Sequence, residues 1–434
     1  MHVDAAFEVN VPATGRAVRR YEGEGSMTEQ SERRLLAAAR WLADTARITP
    51  GREDVQDPYR YPVPQGGYLG AVRNEYDTRT GVWYLNGPVW HTGQSIRAVL
   101  IAWRRTGDPA LLKAALAMGE YIARNVVSDP DDPDYGLLLA YEGDNVTVNN
   151  QTVLETLPGL LDLADATDDE SWLDLARRAA DVVLRGFLPD EGLVVDHYHV
   201  AERRFFHDRD NPLPGRIMLD DAALVMLTEC TGDARYGDAF LAMAERGLRE
   251  EDPPGTWIVF PPWHRDTGRQ HIRCSWWWGR PMLTAYDLTG DRRFLDAAVR
   301  AGTWYLDNQN LDGGFYYATL RDGRHGSFAL ATSGAAVAAI LWADLHARTN
   351  DPVYLEAIGR SLRFLAAAQF SDEADDPSVR GALWETLNVP DGTTRPGFRV
   401  RDIASIFAVR AWDRLITDQL IPDEIAPLNN AMPW

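Results

Sequence analysis

Asp220 and Asp221 sit between a Gly-Arg-Ile-Met-Leu stretch (215–219) and an Ala-Ala-Leu-Val-Met-Leu stretch (222–227), so two adjacent carboxyls fall at the start of an apolar helix. One of them suits the cap of that helix. The other is expected to point into a cavity, where a carboxyl among aromatic rings binds its proton more tightly and serves as a general acid. Which of the two does so is open at the level of sequence. His271 and His264 are the histidines expected to assist. Further polar and aromatic residues collect at comparable helix starts: Trp90 and His91; Asn149 and Asn150; Arg273, Trp276, Trp277 and Arg280; Ser333; and Arg401. Tryptophan faces stack on sugar rings, and the chain carries 15 tryptophans. Arg273 and Arg280 are candidates to clamp a carboxylate. His199, within the Asp-His-Tyr-His run at 196–199, is expected to bond substrate hydroxyls. The His-x-His spacing, without cysteine partners or an HExxH helix, gives little support for a metal, and none is expected.

These residues must be positioned by a repeated unit. Thr106-Gly107-Asp108, Thr167-Asp168, Thr231-Gly232-Asp233, Thr289-Gly290-Asp291 and Thr349-Asn350-Asp351 recur at intervals of 58 to 64 residues. An apolar helical stretch precedes each turn and a second follows it, with apolar positions three and four apart. The Gly permits the left-handed end of the first helix, and the Asp caps the second. Helix pairs are expected to begin near Trp90, Asn150, Ile217, Arg273, Phe328 and Val400. A lone helix from about Ser31 to Thr45 is left to pair with the last one, which argues for ring closure. The expected fold is therefore all-α, an (α/α)6 toroid of six hairpins. The first helix of each pair is the more apolar and forms the inner wall. The inner N-termini then share one rim, where helix dipoles favour anionic ligands.

With that frame in place, three segments resemble the unsaturated glucuronyl hydrolases and the related unsaturated rhamnogalacturonyl hydrolases. Cys274 to Arg280 (CSWWWGR) is similar to their Cys-Trp-x-Arg-Gly-x-x-Trp helix. Residues 331–339 (ATSGAAVAA) are similar to their Asp-Ser-Ser-Ala-Ala-x-x-Ala-Ala, and 217–221 (IMLDD) to the segment holding their catalytic Asp. The resemblance implies cytoplasmic removal of a 4,5-unsaturated uronic acid, with Asp220 or Asp221 protonating the double bond and activating the water that hydrates it. The chain departs from the pattern in two places. Asn149 or Asn150 stands where the family carries a second Asp, and the Arg-Gly order is reversed to Gly279-Arg280.

Composition bounds the alternatives. At 434 residues, 45% hydrophobic and 25% charged, the chain is globular, with no apolar window that would span a bilayer. Residues 1–30 read as an N-terminal arm without a secretory apolar region, 31–420 as the toroid and 421–434 as a tail. A cytoplasmic location is expected. The net charge of −20 disfavours nucleic acid and anionic lipid. Cys230 and Cys274 are too few for a disulfide framework and read as reduced thiols. The expected partner is an oligosaccharide, with no cofactor, and a homodimer is compatible with the sequence. The leading reading is a glycosidase acting on a terminal uronyl or unsaturated uronyl sugar. The alternatives are a sugar or uronyl epimerase using histidine pairs, a uronate lyase using Asn149 and Asn150, and a non-enzymatic sugar-binding toroid.

Overall fold

The computed structural model describes residues 25–207, 211–260, 268–320, 329–388 and 397–422. Helix α1 (Met27–Arg40) starts four residues before the expected Ser31, because Ser26 and Glu29 form a reciprocal capping box. Five hairpins follow: α2 (Pro88–Thr106) with α3 (Pro109–Ala123), α4 (Asn150–Thr167) with α5 (Glu170–Leu184), α6 (Ala223–Thr231) with α7 (Ala234–Glu250), α8 (Pro281–Thr289) with α9 (Arg292–Asn308), and α10 (Thr332–Thr349) with α11 (Val353–Ala368). The last inner helix, α12 (Asp402–Thr417), packs against α1, and it also touches both α10 and α2. The ring therefore closes, as an (α/α)6 toroid with the even-numbered helices inside.

The recurring turns do what their residue types require. Gly107, Gly232 and Gly290 take left-handed φ values of 68°, 72° and 71°, and Asp108, Asp233 and Asp291 cap the next helix. Where Gly is missing, Asp168 and Asn350 adopt the left-handed turn themselves, at φ 52° and 56°. Asp169 then supplies the cap in the second hairpin. The longer inner helices α2, α4, α10 and α12 are buried over most of their surface; in α10 every residue from Thr332 to Leu345 is. That is why they lack the one-sided pattern of α7 or α9.

Two inner helices begin later than the sequence suggests. The segment expected to turn helical near Ile217 does so at Ala223, because Asp221 and Ala222 both take φ 51° and reverse the backbone first. The one expected near Arg273 passes through a widened turn, Ser275–Gly279, before α8 starts at Pro281. Proline lacks the N–H that a continuous helix would need there. The expected start at Phe328 lies outside the described residues, and α10 begins at Thr332. Short strands decorate the rim: Glu75–Asp77, Val82–Tyr84, Trp384–Asn388 and Gly397–Arg401 form one antiparallel sheet. No described helix is long and apolar enough to cross a membrane.

Candidate active site

The site is set first by a close helix crossing. A Cβ on Gly159 of α4 would lie 2.2 Å from the Gly93 carbonyl oxygen of α2, so both positions must be glycine for the helices to meet. That approach brings Gln94 to Glu155, whose carbonyl oxygen accepts from Gln94 Nε2 at 2.6 Å. One turn earlier on α4, Gln151 joins the carboxyls. Its Nε2 donates to Asp220 Oδ2 at 3.0 Å and to Glu155 Oε1 at 3.1 Å. Its Oε1 accepts from Arg216 Nη1 at 3.2 Å, and Arg216 is itself bound by buried Asp196. This chain of partners fixes which face of the amide meets the carboxyls.

Asp220 and Glu155 are both buried. Burial pushes the Asp220 carboxyl well above the carboxylate range, and the charges of Glu155 and Asp221 push the same way. Burial likewise raises Glu155 to about 8, with Glu142 adding to it. Burial thus favours the protonated form of both carboxyls. Asp220 Oδ1 is buried and has no hydrogen-bond partner among the described residues. It is an acid with one buried oxygen uncommitted among the described residues.

Asp221 lies deeper in the ring. Arg410 of α12 grips both its carboxylate oxygens, Arg97 of α2 approaches to 3.2 Å, and Gln94 Nε2 lies at 3.3 Å. Burial opposes the charge, but Arg410 and Arg97 outweigh it and hold the carboxyl far below the usual range. Arg280 sits in the same layer, bonded to Asp344 at 2.8 Å and lying 4.7 Å over the Trp276 ring. Arg273 instead donates to Ser333 Oγ at 3.0 Å and reaches Glu385 at 3.4 Å near the rim. The two arginines expected to form one clamp are thus in different layers, since the widened turn at 275–279 separates them. Arg273 Nε is buried without a hydrogen-bond partner among the described residues.

His91 and His271 are both committed. His91 Nδ1 lies 2.8 Å from buried Asp402, and its Nε2 faces Asn74 Nδ2 at 3.4 Å. The Asn74 oxygen already accepts from Asn86 N–H, so its amide nitrogen is the group that donates to the ring. This dyad ties α2 to α12 where the ring closes. His271 Nδ1 accepts from the Arg273 backbone N–H at 3.0 Å, which places the ring proton on Nε2. Burial and then the charges of Arg273, Arg401 and Arg269 hold His271 well below the ordinary imidazole range. It is a neutral N–H donor.

The remaining expected residues divide sharply. Asn149 caps α4 through Gln151 N–H, and Asn150 donates to the Val195 carbonyl at 2.7 Å. Trp90 stacks on His91 with centroids 3.7 Å apart. Trp276 and Trp278 are packed into the wall, while Trp277 stays partly exposed and stacks on His271 at 5.7 Å. Ser333 donates to Glu385 at 2.6 Å, and Arg401 lies 3.7 Å from Glu75. His199 lies on the middle strand of a small sheet, opposite Thr147 on the strand that leads into Asn149, with Glu202 beside it. His264 lies outside the described residues. Sequence reasoning missed Glu155, Glu385 and Arg410. Only Glu155 left a trace, the Gln151-to-Glu155 spacing of four on an inner helix. Among the described residues no group of three His, Cys, Asp or Glu is arranged to hold a metal.

No protein-family model matches the chain, and no curated protein does. Solved structures do resemble it. An unsaturated glucuronyl hydrolase from Bacillus sp. GL1 superposes with a TM-score of 0.61 at 17% identity, covering 89% of this chain and 96% of that one. A cellobiose 2-epimerase from Bacillus thermoamylovorans gives 0.63 at 13% identity, over 90% and 98%. A D-mannose isomerase gives 0.62 at 13% identity, over 90% and 99%. The toroid fold is common to all of them. At these identities the likeness establishes the architecture, and the site must speak for the chemistry.

Proposed function

We propose that the protein is a carbohydrate-active enzyme that removes a terminal, unsaturated uronyl sugar from an oligosaccharide, with Asp220 as its general acid. The single observation that carries this reading is the buried Asp220 carboxyl, held by burial well above the carboxylate range, with Oδ1 lacking a hydrogen-bond partner among the described residues. In the step proposed, Asp220 gives its proton to C4 of the C4=C5 double bond. The cation left at C5 is shared with the ring oxygen and is captured by water, whose proton returns to the Asp220 carboxylate. The ketal-type product then opens and releases the sugar. Arg273, with its Nε uncommitted, is suited to the substrate carboxylate. Trp277, stacked on His271 and partly exposed, offers a face for a sugar ring.

An epimerase is the rival reading, and the folds of the epimerase and isomerase neighbours favour it. Proton abstraction next to a carbonyl needs a basic nitrogen. His91 and His271 both have their acceptor nitrogen occupied, so neither is placed to act as that base.

The test is a panel of unsaturated uronyl oligosaccharides, followed by loss of the double bond's ultraviolet absorbance and by mass spectrometry. The expected result is loss of absorbance with release of the terminal residue, and a kcat lower by about 10² to 10⁴ in Asp220→Asn. Deuterium uptake from solvent without cleavage would establish the epimerase instead.

A further inference from the structure

We propose that Asp221 is a positioning residue for Asp220: clamped by Arg97 and Arg410, it fixes the backbone reversal at 221–222 and so delivers the neighbouring carboxyl onto Gln151 and Glu155. The inference deepens the reading above and relies on it for the identity of the acid. Asp221 and Ala222 both adopt φ 51°, a conformation that two consecutive residues with side chains hold only where their surroundings over-determine it. The surroundings here are specific. Arg410 reaches Asp221 from the last inner helix and Arg97 from the first, so the clamp spans the point of ring closure. Gln94 joins them to the acid's partner. It donates to Asp221 at 3.3 Å and to the Glu155 carbonyl oxygen at 2.6 Å, while its own oxygen accepts from Arg410 at 3.2 Å. The helix turn that carries Glu155 and the reversal that carries Asp220 are therefore indexed to one another.

Asp221 also acts through its charge. The charged groups facing it are Arg97, Arg410 and, from the turn before α8, Arg280; those facing Asp220 are Glu155, Arg216 and Asp221 itself. The anionic neighbour helps to keep the proton on Asp220.

The test is Asp221→Asn, which keeps the side-chain volume and a residue type tolerant of the left-handed turn, but removes the charge. The protonated carboxyl of Asp220, assigned in the infrared by difference against Asp220→Asn, is followed over pH. Its midpoint is expected to move toward acid by about one pH unit or more. On the enzyme's substrate kcat is expected to fall about tenfold or more, with KM close to the parent value. Arg410→Lys, which keeps a cation but loses the two-pronged grip, provides a second arm if Asp221→Asn does not fold, with kcat again reduced at unchanged KM. A folded Asp221→Asn with the parent's midpoint and kcat, or Arg410→Lys with the parent's kcat, overturns the proposal. A parent protein that leaves unsaturated uronides untouched defeats the hydrolase reading alone, since the infrared titration needs no substrate.

Discussion

Asp220 and Asp221 share a peptide bond and both side chains are buried in the ring, yet their carboxyls are shifted in opposite directions. Asp220 meets one amide and two further carboxyls and keeps its proton. Asp221 meets two arginines and gives its proton up. Burial acts on both in the same direction, so the partners decide the outcome. The rim of the toroid is thereby supplied with an acid, and the layer beneath it with a charged plug. A reversal of the chain at 221–222 is what sends the two side chains to different layers.

The same substitution at each position puts this contrast at risk. Asp221→Asn strips the counter-charge from two buried arginines and is expected to cost about 3–5 kcal/mol in chemical denaturation. Asp220→Asn replaces one neutral, similarly shaped group by another and is expected to change stability by less than about 1 kcal/mol. Equal costs would erase the distinction. A smaller effect is expected where α2 and α4 cross. Gly159→Ala drives a methyl onto the Gly93 carbonyl and should cost about 1–3 kcal/mol, with a matching loss of the Gln94–Glu155 contact.

The two layers also answer pH in opposite ways. Glu155 is raised to about 8 in the folded protein, above an unfolded value of about 4.3. Its contribution to stability is full below the lower value and is lost as pH rises through the upper one. Asp221 is lowered, so its contribution is present above an unfolded value of about 3.9 and is lost as pH falls below that. Melting temperatures measured across neutral and mildly alkaline pH should therefore decline in the parent and decline less in Glu155→Gln. Identical curves would contradict the assignment of the proton to the rim. The smallest effect expected is on Trp277→Ala, a rise in KM of up to about tenfold through lost stacking, with little change in kcat.

Much of the ring was legible because its turns are chemical punctuation. A Gly, Asn or Asp that tolerates a left-handed φ, followed by an Asp, marks the hairpin ends from Gly107 to Asn350 whatever the tertiary context. The parallel inner helices place Arg273 against Ser333 and His271, and Asp220 against Gln151 and Glu155. Other features lay beyond a linear reading. The reversal at Asp221 and Ala222 uses no glycine, so nothing local announces it. Glu385 reaches Ser333 from a strand 52 residues away, and Arg410 reaches Asp221 across 189 residues. Such pairings exist only once the ring has closed. For the same reason Arg273 and Arg280, close in sequence, looked like one clamp and belong to different layers.

The most direct measurement is the ionisation of the two aspartates themselves. Carboxyl carbon resonances of labelled aspartate, assigned through Asp220→Asn and Asp221→Asn, would report each group at neutral pH. Asp220 is expected to be protonated and Asp221 ionised. Finding Asp220 ionised while Asp221 holds the proton, or both ionised alike, would contradict it.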